Sequence, residues 1–344
     1  MSGPGPERVV RLGVIGAGSF ASRRHLPDAI ANPEARLEAI CRRDAEALAV
    51  VANHFGLAER QTFRDWQKML DTVELDAALI ATPNALHYQQ AEYCLERGLH
   101  VLVEKPMTLR ANEARRLCSL ARSKNLILSV ALNPPFWPHC RFIKEHILAG
   151  RLGRIESVSL FWSGSVAHVF GRSPLPSNHP GVVPPTLFRS APELNGGGYF
   201  ADGGGHLISE ALWVSGLRAS RVSAMMDSTP VDMRTALSLE LENGAMATIL
   251  LIGDTESSER RVRHLFSGSA GAATVVGPSF ATELQTEDRQ VLAPGPPTPG
   301  EGPVANFVNA ILHSAPLKSP PEHGVHVTEV LEAAYQAAAS GKTV

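Results

Sequence analysis

Two apolar runs, one helix length apart, constrain the fold of this chain more than any other feature. Each run has the length of a buried strand and ends in polar residues. These residues are Thr82, Pro83 and Asn84, with His87 one turn later, and then Glu104, Lys105 and Pro106. Parallel strands present their functional groups at their carboxyl ends, beside the crevice in which ligands bind. A lysine at such an end can exchange a proton with a ligand, so the pattern predicts a parallel sheet with a site at one edge.

A glycine-rich turn near the start of the chain predicts a nucleotide site at the same edge. An apolar strand at 9–15 is followed directly by Gly16-Ala17-Gly18-Ser19-Phe20-Ala21, which opens a helix. This is the dinucleotide fingerprint, with alanine at the third glycine position. Gly16 permits the tight turn, Gly18 lets the backbone approach a pyrophosphate, and Ala21 keeps helix and strand close. Ser19 and Phe20 then stand at the helix N-terminus, which faces the phosphates.

The end of the next strand indicates which dinucleotide is preferred. The fingerprint expects an acid there for the adenosine ribose, but the strand at 37–41 is followed by Arg42-Arg43-Asp44. A guanidinium can bind a 2′-phosphate in bidentate fashion, so we expect NADP(H) in preference to NAD(H). The alternative is that Arg42 and Arg43 are solvated and that Asp44 reaches back to the ribose.

Composition excludes several classes of partner. The 344 residues carry a net charge of −2 without a basic run, so we expect neither nucleic acid nor an anionic membrane as a partner. No apolar stretch has membrane-spanning length, and the first strand begins too early to leave room for a secretory signal. The four cysteines form no CxxC or zinc spacing, and the histidines show no ligand spacing. We therefore expect reduced thiols, a cytoplasmic location and no metal.

The order of predicted elements divides the chain in two. Up to about residue 131, strands at 9–15, 37–41, 77–81, 100–104 and 126–131 alternate with helical segments, which predicts a doubly wound parallel sheet. After residue 132 the pattern changes to strands at 155–162, 222–226, 235–242 and 245–252, the last two joined by an Asn243-Gly244 hairpin turn. We expect a dinucleotide-binding domain at 1–131 and, at 132–344, a domain with a large, mostly antiparallel sheet. Proline- and glycine-rich loops are expected at 173–185 and 293–303.

A glycine-rich segment in the second half supplies further chemistry. If the part after Gly196-Gly197-Gly198 is helical, Asp202 and His206 share one face at i,i+4, and Glu210 adds a further turn. Glycines inside such a helix cost roughly 1 kcal/mol each relative to alanine. Their use is to bring the backbone close to something bulky, such as a cofactor ring or a substrate. A histidine beside a carboxylate suits general acid–base work, although a buried His–Asp pair that caps the helix is the structural alternative.

Together, these motifs resemble the glucose–fructose oxidoreductase, inositol dehydrogenase and rhizopine catabolism (Gfo/Idh/MocA) family over essentially the whole chain. The resemblance implies a Rossmann domain followed by an α/β domain with an open antiparallel sheet. It also implies a nicotinamide cofactor and, as substrates, sugars, cyclitols or their keto derivatives. Lys105, Asp202 and His206 would surround the reacting carbinol, with Asn84 and Glu104 near the nicotinamide ribose. Many relatives associate through the open sheet face, so a homodimer or homotetramer is expected.

The expected reaction moves hydride between the cofactor and a secondary alcohol or ketone. His206 would act as the base, with Asp202 orienting it, and Lys105 would stabilise the alkoxide or relay the proton. The opposite assignment, with Lys105 as the base, stays open. The predicted cofactor-binding residues are Gly16, Gly18, Ser19, Phe20, Ala21, Arg42, Arg43, Thr82, Pro83, Asn84, His87, Glu104 and Lys105. The predicted substrate-binding residues are Asn133, Phe136, Trp137, Arg189, Asp202 and His206.

The segment from Asn133 to Trp137 departs from the family pattern, because prolines replace the usual arginines. The added aromatic area of Phe136 and Trp137 suggests a substrate with an apolar group, and structural packing explains these two residues equally well. Two other functions remain as alternatives. One is an NAD-dependent glycosidase that oxidises its sugar transiently, and the other is a non-catalytic protein that senses the nucleotide.

Overall fold

The computed structural model of the chain describes residues 8–172, 180–257, 259–287, 291–294 and 302–344. Parts of the two predicted loops, at 173–179 and 295–301, lie outside these ranges. The described residues form two sheets, with helices on both faces of the first and on one face of the second. None of the helices in these ranges combines the length and the apolar character that crossing a bilayer requires.

The first sheet is parallel and six-stranded. Its strands are β1 (Val10–Ile15), β2 (Ala35–Cys41), β3 (Thr62–Phe63), β4 (Ala77–Ile80), β5 (His100–Val103) and β6 (Leu128–Val130). They lie in the order β3-β2-β1-β4-β5-β6. The chain therefore adds strands to one side of β1 and then, from β4 onward, to its other side. An α/β sheet forms its ligand crevice at this switch point between β1 and β4. The central strands are almost continuously buried because helices cover both faces.

The helices of this domain begin and end where local chemistry favours it. They are α1 (Leu26–Ala31), α2 (Ala45–Phe55), α3 (Trp66–Thr72), α4 (His87–Glu96) and α5 (Ala111–Ser123). Asp44 caps α2 by accepting a hydrogen bond from the Ala47 N–H at 2.8 Å, and Gly56 ends the helix in the left-handed conformation. A π-helical turn at Ala21–His25 precedes α1, so the chain leaves the glycine loop in a wider winding than an α-helix.

The second sheet has eight strands in the order β14-β13-β12-β11-β7-β10-β9-β8. They are β7 (Ile155–Ser163), β8 (Ala219–Met226), β9 (Arg234–Leu241), β10 (Met246–Ile252), β11 (Arg261–Gly268), β12 (Gly271–Val276), β13 (Ala281–Thr286) and β14 (Val291–Leu292). Neighbouring strands are antiparallel except for β7 and β10, which are parallel. Burial alternates residue by residue along β10 and β11, so one face is packed and the other is open.

The helices of the second segment pack on the closed face and on the first domain. They are α6 (Pro138–Leu148), α7 (Pro192–Asn195), α8 (Gly205–Ser215), α9 (Pro303–His313) and α10 (Pro321–Ser340). α10 contacts α5 and β6 on one side and β8 on the other. α9 packs against α1, β1 and β5, and its Phe307 and Val308 join the core of the first sheet. We therefore propose the division at residues 131 and 132 with α9 counted structurally with the first domain.

The prediction of both sheets is confirmed. The Asn243-Gly244 turn joins β9 and β10 as expected, with Asn243 and Gly244 hydrogen-bonded to Ala245 and Leu241. The two-residue β3 and the run from β11 to β14 were not predicted. β3 has only two residues, so it cannot show the alternation of apolar and polar residues that predicts a strand. β11 carries arginines on its open face, and these lower its mean apolar character.

Candidate active site

One cavity of about 730 Å³ runs from the glycine loop to the junction of the two domains. It is lined by most of the residues predicted to bind the cofactor: Gly16, Gly18, Ser19, Phe20, Arg42, Arg43, Thr82, Pro83, Asn84, Glu104 and Lys105. Arg189, Asp202 and His206 line its other end. The cavity therefore joins the predicted nucleotide residues to the predicted chemical residues in one space.

The glycine loop requires its glycines for close backbone approach. Gly16 has a φ of 95°, and a Cβ there would lie 2.7 Å from the carbonyl carbon of Ala81. A Cβ on Gly18 would lie 3.3 Å from Nη1 of Arg42, at the cavity wall. Ala21 is buried behind the loop in the π-helical turn and does not line the cavity, so its expected role is limited to packing.

Three arginines surround the end of β2. Arg42 donates to the carbonyl of Ala17 at 3.3 Å, and among the described residues nothing accepts a hydrogen bond from its buried Nε. Arg64, which was not predicted, donates to the backbone carbonyl of Arg43 at 3.0 Å and lines the cavity. Asp44 is occupied as the cap of α2. The orphaned Nε and the two exposed guanidinium groups fit an anionic group of a nucleotide.

His87 is placed differently from the prediction. It is fully buried and does not line the cavity. Its Nδ1 lies 2.8 Å from the carbonyl of Pro106 and its Nε2 lies 2.9 Å from the carbonyl of Thr82. His87 therefore ties the loops after β4 and β5 together instead of contacting a cofactor. Burial lowers its pKa, which favours the neutral ring.

Glu104 and Lys105 diverge from the end of β5 toward different partners. The Glu104 carboxylate pairs with Nε2 of His25 at 2.7 Å, and both side chains are buried. Lys105 Nζ donates to the backbone carbonyl of Asp202 at 2.7 Å and to its Oδ1 at 3.0 Å. The pairing of His25 with Glu104 across 79 residues has no signal in the sequence.

Asp202 lies between two cations. Its Oδ1 is 3.0 Å from Lys105 Nζ and 3.0 Å from Arg189 Nε, and all three side chains are less than one-fifth exposed. Burial alone would raise the pKa of Asp202, but the charges of Arg189 and Lys105 outweigh it and hold this pKa well below its usual range. The carboxylate is therefore ionised at neutral pH and fixes the positions of both cations.

His206 is not oriented by Asp202 as expected. The segment Phe200–Gly204 is a π-helical turn, and the Asp202 carboxylate pairs with Lys105 and Arg189 rather than with His206. Nothing in the described residues hydrogen-bonds Nδ1 of His206, and its ring packs against Trp137 with centroids 5.9 Å apart. Burial and the charge of Lys105 lower the pKa of His206 to about 4, so its imidazole is neutral at pH 7.

The glycines of this segment accommodate the protein's own side chains. A Cβ on Gly197 would lie 2.2 Å from the Tyr335 hydroxyl, and one on Gly204 would lie 2.4 Å from the Phe200 ring. The expectation that the glycines inside the helix make room for a cofactor ring or a substrate is therefore wrong for Gly204, and Gly197 lies before that helix. The close approach instead lets the Tyr335 hydroxyl accept from the backbone N–H groups of Gly198 and Ala201 at 3.1 Å each.

Three predicted substrate residues do not line the cavity. Asn133, Phe136 and Trp137 lie beside it, and Phe136 is buried in packing. Trp137 reaches the site only through its contact with His206. Glu210 points away from the cavity and is completely buried. The cavity residues that were not predicted include Arg23, Arg64, His168, Phe188, Tyr199 and Arg260.

Comparison with known proteins identifies the class to which this fold and site belong. The family model for the GFO/IDH/MocA oxidoreductases with an NAD-binding Rossmann fold matches residues 10–132, and the model for the C-terminal domain of that family matches 140–274. The chain belongs to the Gfo/Idh/MocA oxidoreductase family, as the resemblance predicted.

Two curated relatives and one solved structure illustrate the similarity. The chain is 30% identical to dTDP-3,4-didehydro-2,6-dideoxy-alpha-D-glucose 3-reductase of Saccharopolyspora spinosa over 69% of this chain and 67% of the relative. It is 28% identical to D-xylose 1-dehydrogenase (NADP(+)) 2 of Haloferax volcanii over 97% and 98%. Several other curated matches span about half of the relative or less; the match to D-glucoside 3-dehydrogenase of Escherichia coli, for example, covers 55% of that protein. Levoglucosan dehydrogenase in complex with NADH shares the fold, with a TM-score of 0.83, 21% identity and coverage of 98% and 99%.

Proposed function

We propose that this protein transfers hydride between NADP(H) and a secondary alcohol or ketone of a sugar, cyclitol or related polyol. The observation that carries the proposal is the convergence of Lys105, Asp202 and His206 at one end of the cavity whose other end is the glycine loop. The relatives described above, which are sugar dehydrogenases and a sugar reductase, support this substrate class. The nicotinamide, when bound, accepts or supplies the hydride.

The protein's own groups would handle the proton. A neutral His206 can accept a hydroxyl proton directly, but its pKa of about 4 makes it a weaker base than an ordinary imidazole. Lys105, fixed by Asp202 at 3.0 Å, can donate a hydrogen bond to a developing alkoxide. The geometry gives both groups access to the same part of the cavity, so both stay in the proposal as candidate bases.

The experiment that tests the function starts from the purified protein. Released nucleotide is identified by mass spectrometry, the stripped protein is titrated with NADPH and NADH, and polyols are then screened with NADP⁺. We expect an exchanging nucleotide and turnover that falls about 10²–10⁴-fold in His206→Ala, with nucleotide affinity retained, and a similar loss of turnover in Lys105→Met. Tightly retained NAD(H) would favour the glycosidase. Binding without turnover of any polyol would favour the nucleotide sensor.

The arginines at the end of β2 are the reason for proposing a preference for NADP(H). Arg43 and Arg64 are exposed at the cavity and are held together by the hydrogen bond from Arg64 to the Arg43 carbonyl. Asp44, the competing group for a ribose hydroxyl, already accepts from Ala47. Two guanidinium groups beside the adenosine end suit a 2′-phosphate.

Substitution of Arg43 tests this preference. We expect Arg43→Ala to weaken NADPH binding by about tenfold or more and to leave NADH binding within about twofold, because only NADPH carries the 2′-phosphate. Arg60→Ala is the matched control, since Arg60 is an exposed arginine on the same domain that does not line the cavity. Equal changes for the two nucleotides would contradict the proposed preference.

We also propose a homodimer or homotetramer that forms through the open face of the second sheet. This face carries exposed apolar side chains on neighbouring strands: Met246, Leu250, Leu265 and Val276, which are 37–49% exposed. Sedimentation of the wild type and of Leu265→Glu tests the proposal, and a monomeric wild type would contradict it.

The four cysteines are free, which supports action in a reducing compartment such as the cytoplasm.

A further inference from the structure

A cluster of ionisable side chains lies behind His206 and is separate from the cavity. It consists of His139 and Cys140 from the first turn of α6, Glu210 from α8 and His264 from β11. All four side chains are buried, with Glu210 and His264 at 0% exposure. None of them lines the cavity, and the proposed reaction uses none of them. A buried carboxylate, thiol and two imidazoles at one point therefore need a separate explanation.

Hydrogen bonds inside the cluster leave donors and acceptors unused. His264 Nδ1 pairs with Glu210 Oε1 at 2.7 Å. In the part of the chain that the structure describes, three buried polar atoms of the cluster have no hydrogen-bond partner: His139 Nε2, Glu210 Oε2 and His264 Nε2. Each such atom costs about 1–3 kcal/mol when it stays unsatisfied. The native cluster is thus incomplete as a hydrogen-bond network.

Three side chains of the cluster are arranged as metal ligands. The nearest ligand atoms of His139, Cys140 and Glu210 all lie within 4.8 Å of one another. His139 Nε2 is 3.6 Å from Glu210 Oε1, which is too long for a hydrogen bond. Two ligands that are each about 2.0–2.1 Å from a tetrahedral metal lie about 3.4 Å apart, close to this separation.

The charges of the cluster also suit a divalent cation. A thiolate from Cys140 and the Glu210 carboxylate would neutralise one M²⁺ ion, while His139 would contribute a neutral imidazole. Cys140 lies in the first turn of α6, and metal binding would displace the proton of its thiol. His264 would act as the outer partner that orients the ligating carboxylate, as such donors do in metal sites.

We propose that His139, Cys140 and Glu210 bind a divalent transition metal, with Zn²⁺ the best match to one nitrogen, one sulfur and one oxygen ligand. The expectation from sequence was that the chain binds no metal, because His139 and Cys140 are adjacent and Glu210 is 70 residues away, so no ligand spacing is visible. The His139 ring stacks on Trp137 with centroids 5.5 Å apart, and Trp137 in turn contacts His206, so a bound ion would hold the wall behind His206.

Cobalt provides a direct spectroscopic test. The full chain, produced without a polyhistidine tag, is expressed in medium that contains Co²⁺, so that the buried site can load during folding. We expect one Co²⁺ per chain and a thiolate-to-Co²⁺ charge-transfer band, both of which are lost when Zn²⁺ replaces the cobalt. Because the readout needs neither substrate nor nucleotide, its failure and the failure of the proposed oxidoreductase activity are distinguishable.

Matched variants assign the ligands. Cys140→Ser should abolish the charge-transfer band, whereas Cys118→Ser, which changes a half-buried thiol in α5, should retain it. His264→Gln should weaken Zn²⁺ binding by about 10–100-fold, as expected for an outer partner. If Cys140→Ser does not fold, Glu210→Gln provides a near-isosteric variant in which cobalt stoichiometry should fall. The proposal is overturned if the wild type shows no thiolate band and less than a tenth of an equivalent of metal, or if the band persists in Cys140→Ser.

Discussion

The carboxylate of Asp202 is the point at which substitution should reveal the most about the site. It holds Lys105 Nζ and Arg189 Nε, each 3.0 Å from the same oxygen. We predict that Asp202→Asn destabilises the protein because it leaves two cations facing one another without the anion between them. The neutral amide keeps the shape of the side chain, so the change is chiefly one of charge.

The size of the effect follows from distance and burial. At 3.0 Å and an effective dielectric constant of about 20, each pair has a gross attraction of about 5 kcal/mol, most of which offsets desolvation. Removal of one partner costs about 3–5 kcal/mol for fully buried pairs and below about 1 kcal/mol for exposed ones. Because these side chains are 13–19% exposed, we expect Asp202→Asn to lower the free energy of unfolding by about 2–3 kcal/mol.

A double-mutant cycle separates this cause from general damage. Arg189→Gln leaves Asp202 paired with Lys105, so it should cost about 1 kcal/mol or less. The double variant Asp202→Asn/Arg189→Gln should be more stable than Asp202→Asn alone by about 1 kcal/mol, because the repulsion between the two cations is removed. Urea unfolding followed by fluorescence measures all three. Arg122→Gln, which breaks an exposed pair with Glu322, is the control and should cost under about 0.5 kcal/mol. Simple additivity of the two single changes would refute the argument.

Two further predictions concern His206 and Tyr335. The folded-state pKa of His206, about 4, is below its ordinary 6.5, so the unfolded chain binds more protons between these values and wild-type stability should fall as pH drops through them, by up to about 3 kcal/mol. His206→Gln should reduce this pH dependence, and equal slopes would contradict the buried neutral imidazole. Tyr335→Phe should cost roughly 2–4 kcal/mol in thermal or urea unfolding, because its hydroxyl donates to Asp232 at 2.6 Å and accepts from two backbone N–H groups. Tyr93→Phe, which removes a 3.5 Å contact, should cost under about 0.5 kcal/mol, and equal losses would contradict the role of Tyr335.

Patterns within short segments predicted the fold well. The apolar strands of the first sheet, the glycine turn after β1 and the Asn243-Gly244 hairpin all depend on residues that are neighbours in sequence. The arrangement of the site depends on contacts between distant residues and was predicted only in outline. The π-helical turn before α8 is one example, because no periodicity in the sequence indicates such a turn.

The pairing of side chains was the least predictable feature. Glu104 binds His25, and Glu210 binds His264, over separations of 79 and 54 residues. These pairs exist because buried carboxylates require nearby cations or donors, a requirement that acts only after the chain has folded. The expectation that Asp202 orients His206 followed from proximity in sequence, whereas Lys105 and Arg189 are closer to that carboxylate in space.

The segment that connects β7 to β8, here called the crossover, has a consequence for how the substrate specificity of such a protein can evolve. Within the described residues, every second-domain residue that lines the cavity lies between Ser163 and Ala219, with Arg260 as the exception. The eight-stranded sheet holds both ends of this crossover and does not depend on the residues inside the cavity. A single recombination event that exchanges the crossover would therefore replace Arg189, Asp202 and His206 together with the rest of this wall, while the glycine loop, Glu104 and Lys105 of the ancestor pass on unchanged.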